Sequence, residues 1–371
     1  MNWRRSLTES GRLSAPTPGD VAAVLRLRYS LTFAATTGTA KLMSDEAGAN
    51  TEAGKAPVKL AVCVCTYRRP RGLEQLLQGL CTQSFEENPP PSVTIVVADN
   101  ECSDSNREIC ERFARHCPFS LVYLRESRRG ISHARNACLD NLPADTDFVA
   151  MIDDDEIPDR LWLNHLLVAR NTTSADIVTG PALPVFDADT PAWIRNSGWF
   201  AKPHRPESYR DLEEFPPTAT CNVLMRADIF TTDGLRFDPA LALSGSEDKL
   251  LFQDLKQRGL KFVWAAGAKT SETIPAARAN LRYMLSEALR RGSTKFYVKT
   301  RLKASNRTAV LKLRLRSSLR ALSAIIGHSA RACLYLAGGK RRRDRLALSL
   351  LAVAENIGFI GGVFGYRKNH Y

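Results

Sequence analysis

VKLAVCVCTYRRPRGLEQLLQGLCTQ, residues 58–83, decides the fold class of this 371-residue chain. Its first part is a β-branched, apolar run of the length expected for a buried strand. An Arg-Arg-Pro turn follows, and Leu73, Leu76, Leu77 and Leu80 then recur at helical spacing. The stretch therefore predicts a strand, a loop and a helix in direct succession, which begins a βαβ unit.

The same alternation of strand and helix continues after this first unit. We predict strands in SVTIVVADN, FSLVYLRE and DFVAMI, and helices in NREICERFARHC and in the segment that Gly130 and Ser132 can open. Strands that alternate with helices favour a doubly wound, mostly parallel sheet, and thus the α/β class. Later elements are less regular: 187–217 is typical of a long loop over a site, and 246–259 is a helix with Ser246 as N-cap.

Polar residues follow three of the predicted strands, at the point where each strand ends. They are Thr66 to Arg69, Asp99-Asn100, and the acids of MIDDDEIP at 151–158. Ligands of doubly wound sheets bind beyond the carboxyl ends of the strands. The three clusters together therefore predict one binding site at this edge of the sheet.

Four consecutive acids occupy positions 153–156. If Ile152 ends the strand, Asp153 and Asp155 point to one side and can reach a single hard cation, while Asp154 faces the other way. The alternative is a solvated acidic turn without a ligand.

Charge and cysteine content restrict the class of protein. The whole chain has a net charge of +13, whereas residues 290–371 alone have a net charge of +17. The remainder of the chain therefore has a net charge of −4, and the basic character belongs to the C-terminal tail. The nine cysteines are odd in number and several lie in predicted core elements, which indicates reduced thiols in a cytosolic setting. A structural zinc site is disfavoured because Cys63 and Cys65 have no second ligand pair.

The N-terminal segment lacks the continuous apolar region of a secretory signal. We expect residues 1–56 to form a flexible extension, with a translation start at Met43 as an alternative that leaves a short polar leader.

Five motifs in order, VCVCTYRRP, VVADNECSDS, RRGISHARNACL, MIDDDEIP and GSEDKLLFQDLKQRG, make residues 58–280 resemble the inverting family-two glycosyltransferases. The resemblance is to bacterial enzymes that extend exopolysaccharide repeat units of the succinoglycan type. It implies a GT-A fold for residues 57–285, with residues 286–371 as a basic, amphipathic helical tail.

The resemblance also implies a donor site for a UDP-sugar. Asp99 would bind the uracil, Gly130 would let the backbone approach the nucleotide, and Asp153 with Asp155 would hold Mg²⁺ or Mn²⁺ against the diphosphate. The residues expected at the nucleotide are Thr66, Arg68, Asp99, Arg135, Asp153 and Asp154.

For catalysis, the resemblance implies that Asp248 is the base and that Glu247 borders the acceptor pocket. A simple helix start rich in acids is the alternative for these two residues. No His follows the last predicted strand as a further metal ligand, so Arg278 could instead hold the diphosphate, or it could be a surface residue.

The last apolar stretch is about 19 residues long, but it carries Glu355 and Asn356 near its centre, which disfavours a membrane-spanning helix. We expect an interfacial helix on the anionic inner membrane, which would suit a lipid-linked acceptor. The alternative is a helical subdomain packed on the catalytic body. A nucleic-acid partner is not expected, because no recognisable binding fold accompanies the basic residues.

The sequence thus predicts a cytoplasmic, peripheral membrane enzyme that transfers a hexose from a UDP-sugar to a saccharide acceptor with inversion. Two alternatives stay open. A nucleotidyltransferase would need a Gly-rich phosphate loop, which TYRRPRG resembles poorly. A non-catalytic sugar-nucleotide or glycan-binding protein would have no need of Asp248 as a base.

Overall fold

The computed structural model describes residues 56–86, 90–201, 206–216, 219–303, 306–336 and 343–369. The extension predicted for residues 1–56 lies outside the described residues, apart from its last residue. Ten strands are described: β1 Lys59–Thr66, β2 Ser92–Asp99, β3 Ser120–Arg125, β4 Phe148–Asp153, β5 Glu156–Pro158, β6 Ile177–Thr179, β7 Ala182–Phe186, β8 Val223–Arg226, β9 Phe262–Trp264 and β10 Thr270–Ile274.

The main sheet contains seven strands in the order β3-β2-β1-β4-β8-β6-β9. The strands β3, β2, β1 and β4 are parallel, whereas β8 runs antiparallel to both of its neighbours, and β9 is parallel to β6. The predicted doubly wound, mostly parallel sheet is therefore confirmed. Its parallel half brings the carboxyl ends of β1, β2 and β4 to one edge.

Helices cover both faces of this sheet because its strands are apolar on both sides. Val62 and Val64 of β1 pack in one core cluster with the leucines of the first helix, and Cys63 packs in the other cluster with Ala134 and Cys138. The helices are α1 Pro70–Cys81, α2 Asp104–Ala114, α3 Ile131–Asp140, α4 Trp162–Thr173, α5 Ala192–Arg195, α6 Asp228–Thr231, α7 Glu247–Gln257, α8 Leu281–Lys303, α9 Arg307–Leu336 and α10 Arg343–Val363.

A second sheet of three strands, in the order β5-β10-β7, lies at the carboxyl end of β4. The apolar stretch ADIVTGPALPVF, residues 175–186, contains two strands, β6 and β7, which belong to different sheets. The chain changes sheet at Gly180-Pro181, where a Cβ on Gly180 would lie 2.1 Å from the carbonyl oxygen of Ala268. Only a residue without a side chain permits this approach.

Cys81 at the end of α1 forms a disulfide with Cys117, with Cα atoms 5.0 Å apart. The prediction that all nine cysteines are reduced is therefore wrong for this pair. The sequence conceals the pairing because the two residues are 36 positions apart, and no local pattern links them. The other seven cysteines form no disulfide among the described residues.

The last three helices of the chain, α8, α9 and α10, pack on one another through α10. Helix α8 runs without interruption across residue 285, the expected end of the catalytic domain. Helix α10 packs closely on α8: a Cβ on Gly358 would lie 2.0 Å from the carbonyl oxygen of Leu289, and one on Gly292 would lie 1.9 Å from that of Glu355. Among the described residues, α10 is the one helix long and apolar enough to cross a membrane by length and composition, and Glu355 on it pairs with Lys295 of α8 at 2.7 Å.

Candidate active site

A cavity of about 680 Å³ opens at the carboxyl ends of β1 and β4. The ends of the two strands form its floor, and the start of α7, the first half of α8 and segments 199–201 and 219–221 form its walls. The predicted site residues Thr66, Arg68, Arg135, Asp248 and the acids 153–155 all line it. The structure thus brings together motifs that are far apart in the sequence.

The three aspartates of the acidic run each have a basic partner. Asp153 accepts a hydrogen bond from Arg135 at 3.2 Å, and Asp154 accepts one from Arg69 at 2.7 Å. Asp155 lies 2.9 Å from Arg69 and 3.0 Å from Arg278. Like charges can be adjacent here because arginines from three separate elements neutralise them.

Strand β4 ends at Asp153, and Asp154 and Asp155 form a turn. The expected alternation of side chains therefore does not apply beyond Asp153, and Asp153 and Asp155 face different arginines. Asp154 is 5% exposed and also accepts a hydrogen bond from the Thr66 hydroxyl at 2.9 Å. Burial raises the pKa of Asp154 to about 6, although Arg69 opposes the shift. Asp154 and Thr66 line the cavity, and their contacts join β1 to the acidic turn.

Asp99 lies at the end of β2 as predicted, but its side chain is 0% exposed and does not line the cavity. It accepts hydrogen bonds from the backbone N–H groups of Glu101 and Ser103 and from the Tyr123 hydroxyl, at 2.9, 2.8 and 2.7 Å. In this arrangement Asp99 shapes the loop beside the cavity instead of presenting a carboxylate to a base. Its neighbour Asn100 lines the cavity.

Arg135 of α3 connects two acidic elements of the site. Its guanidinium donates to Asp153 and to Glu247 at the start of α7, and Arg135 and Glu247 are both buried. Burial raises the pKa of Glu247 to about 7 against the opposing charge of Arg135, and the charge of Asp248 adds to the rise. The second carboxylate oxygen of Glu247, Oε2, is buried and has no hydrogen-bond partner among the described residues. Glu247 therefore offers a buried acceptor beside Asp248.

Gly130 precedes α3 with φ of 129°. We expected it to let a nucleotide approach the backbone, but a Cβ there would lie 2.8 Å from the carbonyl oxygen of Ala242. The neighbouring Ile131 N–H donates to that same oxygen at 3.0 Å. The glycine is thus required by close packing of two protein segments.

Asp248 lies in the first turn of α7, is half-buried, and accepts a hydrogen bond from the Lys249 N–H at 2.6 Å. Ser246 is the N-cap residue of α7 as predicted, but it has φ of 74°, and its hydroxyl bonds to Thr294 of α8 at 2.7 Å instead of to the helix backbone. The loop before Asp248 is therefore fixed against α8, which directs the start of α7 toward the cavity.

Three residues near the acidic turn could hold a metal ion. Asp153, Glu156 and Cys221 each offer one ligand atom, and these atoms lie within 4.8 Å of one another. Carboxylate oxygens are the ligands that Mg²⁺ and Mn²⁺ prefer, and the thiol adds a softer donor. The residues thus fit a divalent cation, with Asp153 common to this group and to the predicted Asp153–Asp155 pair.

Basic and aromatic side chains on the far wall were missed from the sequence. Glu287 of α8 accepts hydrogen bonds from Arg290 at 2.8 Å and Arg291 at 3.0 Å, and the Arg291 guanidinium lies 4.7 Å from the centre of the Trp199 ring. All four residues line the cavity. Glu287, Arg290 and Arg291 were not predicted as site residues because they lie beyond residue 285, in the stretch that the sequence indicates to be a tail. Arg69 belongs to the predicted polar cluster after β1 but was assigned no role of its own, and its neighbour Arg68 has an exposed side chain that lies 3.6 Å from Glu101.

Replacing Glu287 by Gln is expected to lower the free energy of unfolding by about 3 kcal/mol at neutral pH. Burial favours a higher pKa, but the hydrogen bonds and charges of Arg290 and Arg291 outweigh it and lower the pKa of Glu287 to about 2. A carboxyl group with a depressed pKa stabilises the fold above its unfolded pKa of about 4.5, and this stability is lost as the pH falls toward 2. The difference between the two proteins in denaturant unfolding should therefore shrink from pH 7 to pH 3.

Glu111→Gln is the matched control, since Glu111 forms an exposed pair with Arg107 at 3.9 Å and should change stability by less than about 0.5 kcal/mol. A Glu287→Gln difference that is small at pH 7, or independent of pH, would contradict the assignment of this ion-pair cluster.

Comparisons of the sequence and the fold with known proteins identify the family to which this chain belongs. Residues 61–233 match the model of the family described as "Glycosyl transferase family 2". The chain is 32% identical over 305 residues to the succinoglycan biosynthesis protein ExoM of Rhizobium meliloti (strain 1021), covering 82% of this chain and 93% of that protein. It is 31% identical over 106 residues to ExoW of the same organism, covering 28% of this chain and 32% of ExoW.

Among solved structures, the mannosyltransferase PcManGT from Pyrobaculum calidifontis is similar in fold, with a TM-score of 0.54 and 17% identity over 82% of this chain and 87% of that one. The sheet order and this likeness confirm the predicted GT-A fold. The family match and the similarity to ExoM over most of both chains show that the chain belongs to glycosyltransferase family 2, and the protein is a glycosyltransferase.

Proposed function

We propose that this protein transfers a hexose from a UDP-sugar to a saccharide acceptor, with inversion, during the assembly of a bacterial exopolysaccharide. The observation that carries the proposal is the position of Asp248 in the wall of the cavity that the acidic turn and its arginines also line. A cavity of about 680 Å³ is within the range that small-molecule ligands occupy.

The charge of the cavity suits a nucleotide diphosphate. Eight Lys and Arg residues and seven acids line it, and Asp155 is shared by Arg69 and Arg278. Phosphate oxygens can replace a carboxylate as partners of a guanidinium in the same bidentate geometry. We infer that Arg69 and Arg278 exchange Asp155 for the diphosphate when the donor binds.

A divalent cation, Mg²⁺ or Mn²⁺, belongs to the same proposal. The mannosyltransferase PcManGT was solved in complex with GDP-Man and Mn²⁺. Asp153 would hold the cation, together with Asp155 as the motif implies or with Glu156 and Cys221 as their proximity favours. Such an ion neutralises charge on a departing diphosphate.

In the proposed reaction, the carboxylate of Asp248 accepts the proton of the acceptor hydroxyl. The hydroxyl oxygen forms a bond to the anomeric carbon as the bond from that carbon to the diphosphate breaks on the opposite side. One displacement inverts the anomeric centre, and the products are the extended saccharide and UDP. Glu247 and Arg135 would hold the start of α7 at the correct position beside the acidic turn.

The acceptor in this proposal is linked to a lipid, and the enzyme acts in the cytoplasm at the surface of the inner membrane. The names of ExoM and ExoW as succinoglycan biosynthesis proteins support a polysaccharide product. Family membership favours a glycosyltransferase over the nucleotidyltransferase and the non-catalytic binding protein that the sequence left open.

A panel of donors tests the proposal. Purified protein with Mn²⁺ should bind UDP at least about 10-fold more tightly than GDP, a difference of about 1.4 kcal/mol in calorimetry. It should also release UDP from one or two of UDP-glucose, UDP-galactose, UDP-glucuronate and UDP-N-acetylglucosamine. Preference for GDP and turnover of GDP-mannose would overturn the assignment of a UDP donor.

A further inference from the structure

Helix α9 presents an apolar stripe that no other described residue covers. Leu311, Leu315, Leu319, Leu322 and Ile326 are between 48% and 70% exposed. Their spacing of four, four, three and four places them on one face of the helix, within an arc of about 80°. Large apolar residues that are exposed singly are ordinary, but five in a row on one face mark an interaction surface.

A row of cations runs beside this stripe. Lys312, Arg316 and Arg320 each follow a leucine of the stripe by one position, and all three are exposed. Helix α9 contains six Lys and Arg residues and no Asp or Glu. Within the part of the chain that the structure describes, no ion pair involves Lys312, Arg316 or Arg320. The positive charge along the stripe is thus left for a partner to neutralise.

The stripe is distinct from the face that joins α9 to the protein. Ser317, Ala321 and Ala332 are the buried residues of α9, and Ser317 accepts a hydrogen bond from Lys299 of α8 at 2.9 Å. Lys299 in turn lies eight residues after Arg291 of the cavity wall, about 12 Å along the helix axis. Helix α9 packs mainly on α10, and the hydrogen bond between Lys299 and Ser317 links it to α8, the helix that borders the active site.

We propose that the α9 stripe, and not the more apolar helix α10, binds the anionic surface of a membrane. This inference deepens the membrane location in the proposed function. An amphipathic helix lies in the bilayer interface with leucines inserted and with Lys and Arg at the anionic headgroups. Helix α10 is unsuited because its glycines pack on α8 and its Glu355 is paired there.

A second copy of the chain fits the stripe less well. Two α9 helices packed through their stripes would bring two rows of cations together, and α9 has no acid to compensate them. An anionic bilayer supplies both an apolar interior and the opposite charge. In the sequence, four consecutive basic residues at 340–343 follow the end of α9 after three intervening residues.

Vesicle sedimentation of the full chain tests the proposal. The protein should partition onto phosphatidylcholine vesicles that contain about 30% phosphatidylglycerol, and weakly onto phosphatidylcholine alone. The double substitution Leu315→Gln/Leu319→Gln should weaken partitioning by about 100-fold, since each leucine loses the free energy of burial. The triple substitution Lys312→Gln/Arg316→Gln/Arg320→Gln should weaken it about 100-fold on the anionic vesicles alone.

Leu348→Gln on α10, where Leu348 is 43% exposed, is the matched control and should partition like the wild type. Equal partitioning of the wild type and the α9 double variant would overturn the proposal, and so would a loss of binding confined to Leu348→Gln. A dimer in light scattering that the double variant abolishes, without vesicle binding, would assign the stripe to a second copy. Calorimetric titration with UDP on the same preparations distinguishes this proposal from the proposed function. If the protein binds UDP but not vesicles, the membrane-binding role of α9 is refuted and the proposed transferase function is not.

Discussion

Asp248→Asn is expected to bind UDP-sugar as the wild type does and to release UDP more slowly by about 10²–10⁴-fold, which is the usual contribution of a general base. The carboxamide keeps the size and the hydrogen bond from Lys249 but cannot accept the proton of the acceptor. Donor affinity should be preserved because the arginines that face the acidic turn are unchanged. Steady-state UDP release in the presence of acceptor, with donor affinity from calorimetry, measures the two quantities separately.

Asp254→Asn is the control for this substitution. Asp254 lies on the same helix, but it pairs with Arg258 at 3.0 Å and does not line the cavity. Its activity should stay within about 2-fold of the wild type, as for other surface substitutions. If Asp248→Asn turns over as fast as Asp254→Asn, Asp248 is not the base, and Glu247 becomes the candidate.

Asp153→Asn is expected to lower turnover by about 10²–10³-fold, which corresponds to the several kcal/mol that a metal ion contributes to charge stabilisation. Asp153 belongs both to the predicted D-x-D pair and to the group with Glu156 and Cys221. Its loss also removes a partner of Arg135. The Mn²⁺ concentration for half-maximal UDP release should rise, and chelation with EDTA should abolish release by the wild type.

Parallel variants identify the other ligands of the cation. If Asp155→Asn raises the Mn²⁺ requirement, the D-x-D pair holds the ion; if Glu156→Gln and Cys221→Ser raise it, the closer group does. Asp145→Asn is the control, because Asp145 is exposed, pairs with Lys59 at 3.3 Å, and lies before β4, away from the cavity. Turnover by Asp153→Asn within about 3-fold of this control would contradict a role for Asp153 in metal binding.

The sequence was sufficient to predict the elements that create the site. Apolar runs such as VKLAVCVCT and SVTIVVAD are buried on both faces, so their length and composition alone identify parallel strands. Because parallel strands align their carboxyl ends, Thr66 and Asp153 could be brought together without knowledge of any contact. The helix predicted for 246–259 is α7, and Gly259, two residues after its last residue Gln257, has the φ of 86° that a helix-ending glycine adopts.

The orientation of individual side chains could not be predicted in the same way. Asp99 and Asp154 are at the expected positions, yet both carboxylates accept hydrogen bonds from protein groups. One donor to Asp99 is the Tyr123 hydroxyl, and one donor to Asp154 is the Arg69 guanidinium, each of them far away in the sequence. The period of two that predicts side-chain direction in a strand ends with the strand, at Asp153. The split between β6 and β7 and the disulfide of Cys81 likewise depend on tertiary contacts that no local pattern encodes.

The tail illustrates the limit of hydropathy as a guide to membrane contact. The most apolar stretch, in α10, packs against α8 and pairs its acid there, whereas the less apolar α9 presents a continuous exposed stripe. Composition predicts that a segment can meet a membrane. Which helix does so depends on which face the rest of the protein leaves uncovered.

The central claim is that the sugar is transferred in a single displacement with Asp248 as the general base. The stereochemistry of the product tests this claim most directly. With the α-linked UDP-hexose identified from the donor panel and a lipid-linked saccharide acceptor, proton NMR of the purified product reports the anomeric configuration of the new linkage. We expect a β-linked product from the wild type and no measurable product from Asp248→Asn over the same time. An α-linked product would contradict the mechanism, because retention requires either a second displacement or attack from the side of the diphosphate.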